Sequence, residues 1–245
     1  MTEPTLRPAP SAPRRPLLDP EAVPLDVEFD DLGARGVAVP PERLTPSALR
    51  ARLAAPPAWQ PEITADAKLA LLPEPPRPAS VLIPLVVRAA QVSVLLTQRT
   101  AHLHDHAGQI SFPGGRWDET DADPIATALR ESEEEIGLAP AAADVIGTLP
   151  IYVTITGYRV TPVVALIERE FALKLDDFEV EEAFEVPLSF LMDPANHERR
   201  RVIEVGGTSR TFYAMPYADP RAAKRYFIWG ATAAMLRNLY HLLAA

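Results

Sequence analysis

Apolar and polar positions follow two different textures, which meet near residue 80. From Ser80 onward the stretches SVLIPLVVR and VSVLLTQR are apolar and β-branched with polar residues between them, which predicts two strands. Residues 124–136 predict a helix. Asp123 suits its N-cap, Pro124 its first position and Gly137 the position just past its end. Ile125, Ala128, Leu129, Ser132 and Ile136 recur at 3.6-residue spacing and mark the inward stripe. Further strands are predicted at 145–149, 158–167 and 182–186, and a closing helix from about 227 to 243. Strands before, between and after two helices predict a mixed α/β domain over residues 79–245.

The other texture is set by proline, with 17 of the 27 prolines in residues 1–80. Proline removes a backbone donor and fixes φ, so this region cannot form a continuous sheet or a long helix. Residues 1–78 are therefore expected to be an N-terminal extension that adds little to the core. Residues 1 to about 40 read as an extended tail, and Thr45-Pro46 opens a short helix near 46–54. On this reading a chain beginning near Arg77 stays folded and active.

Composition narrows the function. With 47% hydrophobic residues the chain can bury a core, and its net charge of −9 argues against general nucleic-acid binding. The absence of cysteine excludes disulfides, thiolate metal sites and a cysteine nucleophile. No apolar run approaches the roughly 20 residues of a membrane helix, and MTEPTLRPAPSAPRRP lacks the apolar region of a signal peptide. The expectation is a cytoplasmic protein that binds neither membrane nor nucleic acid.

The chemistry concentrates in GGRWDETDADPIATALRESEEEIGL, residues 114–138. On a helix Glu131, Glu134 and Glu135 stand at i, i+3 and i+4 and share a face. Like charges so placed repel, and near a helix C-terminus the dipole disfavours them further. A sequence that accepts both costs is offering carboxylates to cations, and all-oxygen donors favour Mg²⁺ or Mn²⁺. Arg130 precedes the cluster as if to tie and orient it. The turn Phe112-Pro113-Gly114-Gly115 lets backbone approach a ligand closely.

This segment resembles the Nudix box, G-x5-E-x7-R-E-U-x-E-E-x-G-U with U apolar. Arg130, Glu131, Glu134, Glu135, Gly137 and Leu138 match position for position. Ser132 stands where an apolar residue is usual, Ala122 at the early Glu position and Arg116 at the early Gly position. Asp121 or Asp118 is then left to partner Arg130. Upstream, LLTQRTAHLHDHAGQISFPGG is similar to the motif of the coenzyme A pyrophosphatase branch, LLTxR(S/A)x3Rx3Gx3FPGG. Leu95, Leu96, Thr97, Arg99, Gly108 and the residues Phe112 to Gly115 are in register, while Thr100 replaces Ser or Ala and His104 replaces the second Arg.

The resemblance implies a Nudix-type α/β/α sandwich with a mixed β-sheet. It implies metal-dependent hydrolysis of the diphosphate of a small coenzyme A-type molecule, giving 3′,5′-ADP and (acyl-)4′-phosphopantetheine. Another nucleoside diphosphate, such as ADP-ribose or a dinucleotide, is the alternative, and a non-catalytic ligand-sensing module is a third reading. Glu131, Glu134, Glu135 and the Gly115 carbonyl are the implied ligands of Mg²⁺ or Mn²⁺. Arg130 stands with the three glutamates as catalytic; Arg99, His104, Gly114 and Gly115 are implied to contact substrate, with His106 a lesser candidate. The general base is one of the cluster carboxylates or a downstream one, Glu179 or Glu182. Arg159 reads as a strand-edge charge, and Tyr158, Phe227 and Trp229 as core.

Overall fold

Strands β1 (Arg77–Arg88) and β2 (Gln91–Arg99) form the spine of a computed structural model, which describes residues 19–28, 36–66, 75–89, 91–100, 108–203 and 209–245. The C-terminal half of β1 pairs antiparallel with β2, from Leu85 opposite Val94 to Arg88 opposite Gln91. On its other edge β1 runs parallel to β7 (Tyr158–Ile167) along the full length of that strand. Strand β8 (Val180–Pro187) and the short β3 (Ile110–Ser111) pair with β2, while β5 (Asp144–Thr148) and β6 (Tyr152–Val153) pair with β7. The free N-terminal half of β1 takes β4 (Gly114–Arg116), with Val81 opposite Gly114 and Ser80 opposite Gly115. The sheet is mixed, as expected.

Both faces of this sheet are covered, which explains why its central strands read as unbroken apolar runs. On one face Leu82, Val86, Leu95, Val163 and Ala165 pack with Ala128 and Ile136 of helix α2 (Pro124–Ile136). On the other, Ile83, Leu85, Val94 and Leu96 join a cluster that includes Leu236, Leu239 and Leu243 of helix α3 (Gly230–Ala244). Helix α2 begins and ends where its local signals direct. The Ala126 N–H donates to Asp123 Oδ1 at 2.8 Å, and Gly137 takes a left-handed φ of 72°. Ser132 is fully buried on the inward stripe because its hydroxyl donates to the Ala128 carbonyl at 2.6 Å and so needs no partner outside the helix.

Two expectations are corrected. Residues 227–229 are not helical: β11 (Lys224–Trp229) continues to Trp229, and α3 starts at Gly230. β11 belongs to a second, three-stranded antiparallel sheet with β10 (Ser209–Asp219) and β9 (Glu198–Ile203), which the hydrophobic pattern did not predict.

The extension also contributes to the core. Helix α1 (Pro46–Ala54) buries Leu49 completely, and Val39 and Leu44 are buried in the same cluster as α3. Prolines do not prevent this, because Pro41 and Pro46 sit at the first turns of helical segments, where the missing donor has no role. Farther on, Thr64 and Asp66 exchange backbone hydrogen bonds with Val153 of β6, at 2.9 Å each. Asn238 Oδ1 accepts from the N–H groups of Glu62 and Ile63, and Arg43 Nη1 donates to the Ala244 carbonyl at 2.9 Å. Residues 19–28 are held against β9, where Asp26, nearly buried, accepts from Arg199 and Arg201. No helix among the described residues is long and apolar enough to cross a membrane.

Candidate functional site

Pairing of β4 with the start of β1 carries the Phe112 to Gly115 turn under the inner face of α2. A Cβ at residue 115 would collide with the Glu131 carboxylate, so any other residue here would displace that carboxylate from its present place. Glu135 lies deeper: its side chain is only 6% exposed, its Oε2 accepts from the Gly114 N–H at 3.2 Å, and its Oε1 is 3.8 Å from Arg99 Nη1. Glu134 points outward, 60% exposed. The three glutamates of the motif are thus graded from buried to solvated.

Arg130 ties them. Its Nε and Nη2 form a forked pair with Asp121 Oδ1 and Oδ2 at 2.9 and 3.0 Å, while Nη2 also reaches Glu131 at 3.0 Å and Nη1 reaches Glu134 at 3.0 Å. Of the two aspartates the sequence left open, Asp121 is the partner; Asp118 instead accepts from Thr120 within its own turn. With Ala122 at the usual Glu position, the carboxylate against Arg130 thus comes from one position earlier.

Arg99 and Glu179 meet at the far side. Arg99 Nη2 is 3.8 Å from Glu179 Oε2, and Thr100 fixes both, its N–H donating to the Glu179 carbonyl and its hydroxyl to the Phe178 carbonyl. Glu182, the other downstream candidate, lies elsewhere, bound to Lys224 and to the Tyr226 hydroxyl in an ion pair joining the two sheets. His104 and His106 lie outside the described residues.

The electrostatics follow from burial and crowding. Burial pushes Glu135 up to about 8, with the charges of Glu179 and Glu131 adding to the rise against the Gly114 N–H and Arg99. Burial also raises Glu131, opposed by Arg130 and reinforced by Glu134 and Glu179. Hydrogen bonds from Arg130 hold Asp121 well below the usual carboxylate range. Among the described residues no three carboxylates converge closely enough to share one ion in this arrangement, where Arg99 and Arg130 bridge them instead. The donor chemistry nevertheless fits a hard divalent cation: crowded carboxyl groups, two of them with ionisation disfavoured chiefly by burial, beside a glycine backbone.

A cavity of about 350 Å³ opens from this cluster, with Arg99, Gly114 and Phe112 on its near side and Phe212, Trp229 and Arg210 on the second sheet. Asp66 of the extension lines it too. These wall residues were not legible as a group, because they come from segments distant in sequence. For Trp229 a signal existed: in β11, Tyr226 and Ile228 are buried while Phe227 and Trp229 alternate onto the other face. Trp229 is accordingly a half-buried cavity residue and not core. Phe227 lies half-buried beneath Arg200 and Arg225, Tyr158 beneath Arg77 and Arg116, and Arg159 is exposed on β7.

Residues 76–205 match the NUDIX domain. The Nudix hydrolase NudL of Escherichia coli K12 is 42% identical over 163 residues, covering 66% of this chain and 81% of NudL. Among solved structures, the Nudix hydrolase RenU of M. smegmatis superimposes with a TM-score of 0.40 and 22% identity, over 47% of this chain and 73% of RenU. An Ap4A hydrolase of C. elegans gives 0.39 and 22%, over 46% and 80%. With the domain match spanning more than half of its 245 residues and a 42% identical relative alongside, the chain belongs to the Nudix hydrolase family.

Proposed function

We propose that the chain hydrolyses the diphosphate linkage of coenzyme A or an acyl-coenzyme A, releasing 3′,5′-ADP and (acyl-)4′-phosphopantetheine. Nudix hydrolases act on small nucleoside diphosphate derivatives and use divalent cations. The observation that carries the narrower substrate is Arg99. The upstream motif that resembles the coenzyme A pyrophosphatase branch ends β2 on this residue, 3.8 Å from both Glu135 and Glu179 and lining the same cavity as Gly114.

Glu131, Glu134, Glu135 and the Gly115 carbonyl would hold Mg²⁺ or Mn²⁺, which when bound neutralises phosphate charge and acidifies water. Arg130, clasped by Asp121, orients Glu131 and Glu134. Arg99 donates to a phosphate oxygen through a charge-assisted hydrogen bond. Glu179, the exposed carboxylate beside Arg99, accepts the proton that water loses as its oxygen bonds to phosphorus and the bridging P–O bond breaks. Gly114 and Gly115 let the diphosphate lie against backbone. Product analysis tests this reading: with Mg²⁺ or Mn²⁺, coenzyme A yields 3′,5′-ADP. Clear preference for ADP-ribose, read as AMP, overturns the coenzyme A assignment.

A further inference from the structure

We infer that the cavity behind the carboxylate cluster receives the uncharged acyl-pantetheine limb of the substrate, with Trp229 and Phe212 as its selecting wall; the inference rests on the coenzyme A reading above. The cavity is continuous with the proposed chemistry, since Arg99 and Gly114 line both. A limb attached to a diphosphate at Arg99 and Gly114 has this space in front of it.

The origin of the walls separates chemistry from selection. Gly114, Arg99 and the carboxylates lie within the matched NUDIX segment, 76–205. Phe212, Trp229, Ala231 and Met235 lie beyond it, on β10, β11 and α3, and Asp66 lies before it. The parts added to the common domain thus converge on one compartment next to the reacting bond. Asp66 fixes the opposite wall: its Oδ2 accepts from the Ile155 N–H at 2.7 Å and its Oδ1 from the Tyr152 hydroxyl.

The lining then decides between the two limbs of the substrate. Val81, Phe112, Val160, Phe212, Trp229 and Met235 make most of the surface apolar. Phe212 and Trp229 meet edge to face at 5.5 Å, a rigid aromatic corner. Thr154, Thr156 and Thr211 add a few hydroxyl groups. The volume of about 350 Å³ and this mix of apolar wall with sparse polar groups suit a small organic limb. The pantetheine limb has that chemistry: a dimethyl group, two amides and a thiol or thioester, without charge. The nucleotide limb carries a base and a 3′-phosphate, whose charges an apolar wall disfavours. Of the two guanidinium groups on the wall, Arg99 faces the diphosphate and Arg210 is engaged in contacts of its own.

The test uses the full chain with Mg²⁺ and two probes, S-hexanoyl-4′-phosphopantetheine and 3′,5′-ADP. The tryptophans are three in number, and Trp229→Phe identifies the one at the cavity. The acyl probe is expected to change wild-type tryptophan fluorescence saturably, and Trp229→Phe to abolish that change, while 3′,5′-ADP leaves it unaltered. In turnover, Phe212→Ala raises KM for hexanoyl-coenzyme A about tenfold or more with kcat within about threefold, and leaves KM for ADP-ribose, which lacks the limb, unchanged. A Trp229-dependent signal from 3′,5′-ADP, or from neither probe, overturns the inference. The coenzyme A reading fails separately, if wild-type protein releases no 3′,5′-ADP from coenzyme A; the probe titrations still decide the cavity.

Discussion

Changing Glu62 to glutamine keeps the side chain's shape and removes one charge from the junction between the extension and α3. Glu62 Oε2 accepts from Arg237 Nε at 2.7 Å and from His241 Nε2 at 2.6 Å, and Oε1 accepts from the Tyr213 hydroxyl. Arg237 is almost buried, at 3% side-chain exposure, so its charge depends on neighbours and not on water. Burial alone would raise Glu62, but the hydrogen bonds from His241, Tyr213 and Arg237 outweigh it and bring the carboxyl down to about 2 from 4.5. At 1.36 kcal/mol per pH unit that difference favours the folded, charged form by about 3 kcal/mol. Partial exposure of the carboxylate trims this to about 2 kcal/mol.

The sign is fixed by the depressed folded value: the contribution is complete above pH 4.5 and is lost as pH falls from 4.5 through about 2. His197, whose Nδ1 meets Arg237 Nη1 at 2.9 Å, adds a second pH-dependent contribution, on which the charge of Glu62 is the last-ranked influence. Burial lowers it to about 4 from 6.5, so wild-type stability falls as pH drops across that interval, and loss of the Glu62 charge lowers His197 a little further in the variant. The assay is urea unfolding followed by far-ultraviolet circular dichroism at pH 7.5, 5 and 3. Glu62→Gln should lower the midpoint at pH 7.5 with an unchanged slope, and the gap to wild type should narrow to about half or less between pH 5 and 3. Equal midpoints at pH 7.5, or a gap that persists unchanged at pH 3, would refute the reasoning.

Four further outcomes are expected. Asp121→Asn loosens the fork on Arg130 and should lower kcat about a hundredfold with KM nearly unchanged; wild-type kcat removes Arg130 orientation from the account. Glu135→Gln should reduce turnover by about two orders of magnitude or more and shrink the rise in melting temperature that Mn²⁺ gives wild-type protein. An undiminished Mn²⁺ shift would show that Glu135 is not a ligand. Leu49→Ala should lose about 2–5 kcal/mol in chemical unfolding, and a chain beginning at Arg77 should show no cooperative transition; a normal melt of that shorter chain would return the extension to a peripheral role.

What was legible depended on how local the determinant is. Helix α2 was read to its boundaries because Asp123, Pro124 and Gly137 act within one turn of each end. Strands β1, β2 and β7 were visible because burial on both faces leaves them apolar throughout. The second sheet was hidden by arginine. The strand ERRRVI reads as a charged run, yet Arg199, Arg200 and Arg201 are matched by Asp26, Glu198 and Glu28, two of them in the extension. The start of α3 carries no side-chain cap, so its boundary with β11 left no local mark. Within the site, spacing supplied Arg130 and the glutamates, but only the fold shows that Asp121 and not Asp118 meets Arg130, and that Glu179 and not Glu182 meets Arg99. The aromatic wall needed three segments brought together.

The stitching of residues 36–66 to α3 also sets an order of events during synthesis. Arg43 is separated from the carbonyls it meets by 200 and 201 residues, and Glu62 from Arg237 by 175. At about 5–20 residues per second, the extension leaves the ribosome on the order of ten seconds or more before its partner helix exists. Until then the cluster that holds Leu44 and Leu49 lacks its α3 residues, and the sheet face that α3 will close is open as well. Proline density then has a second consequence, in kinetics: a segment interrupted at Pro56, Pro57 and Pro61 cannot present the continuous row of N–H donors that a neighbouring nascent chain would need to add a strand. The composition that tolerates helical starts in the finished protein keeps the waiting segment from pairing with the wrong chain.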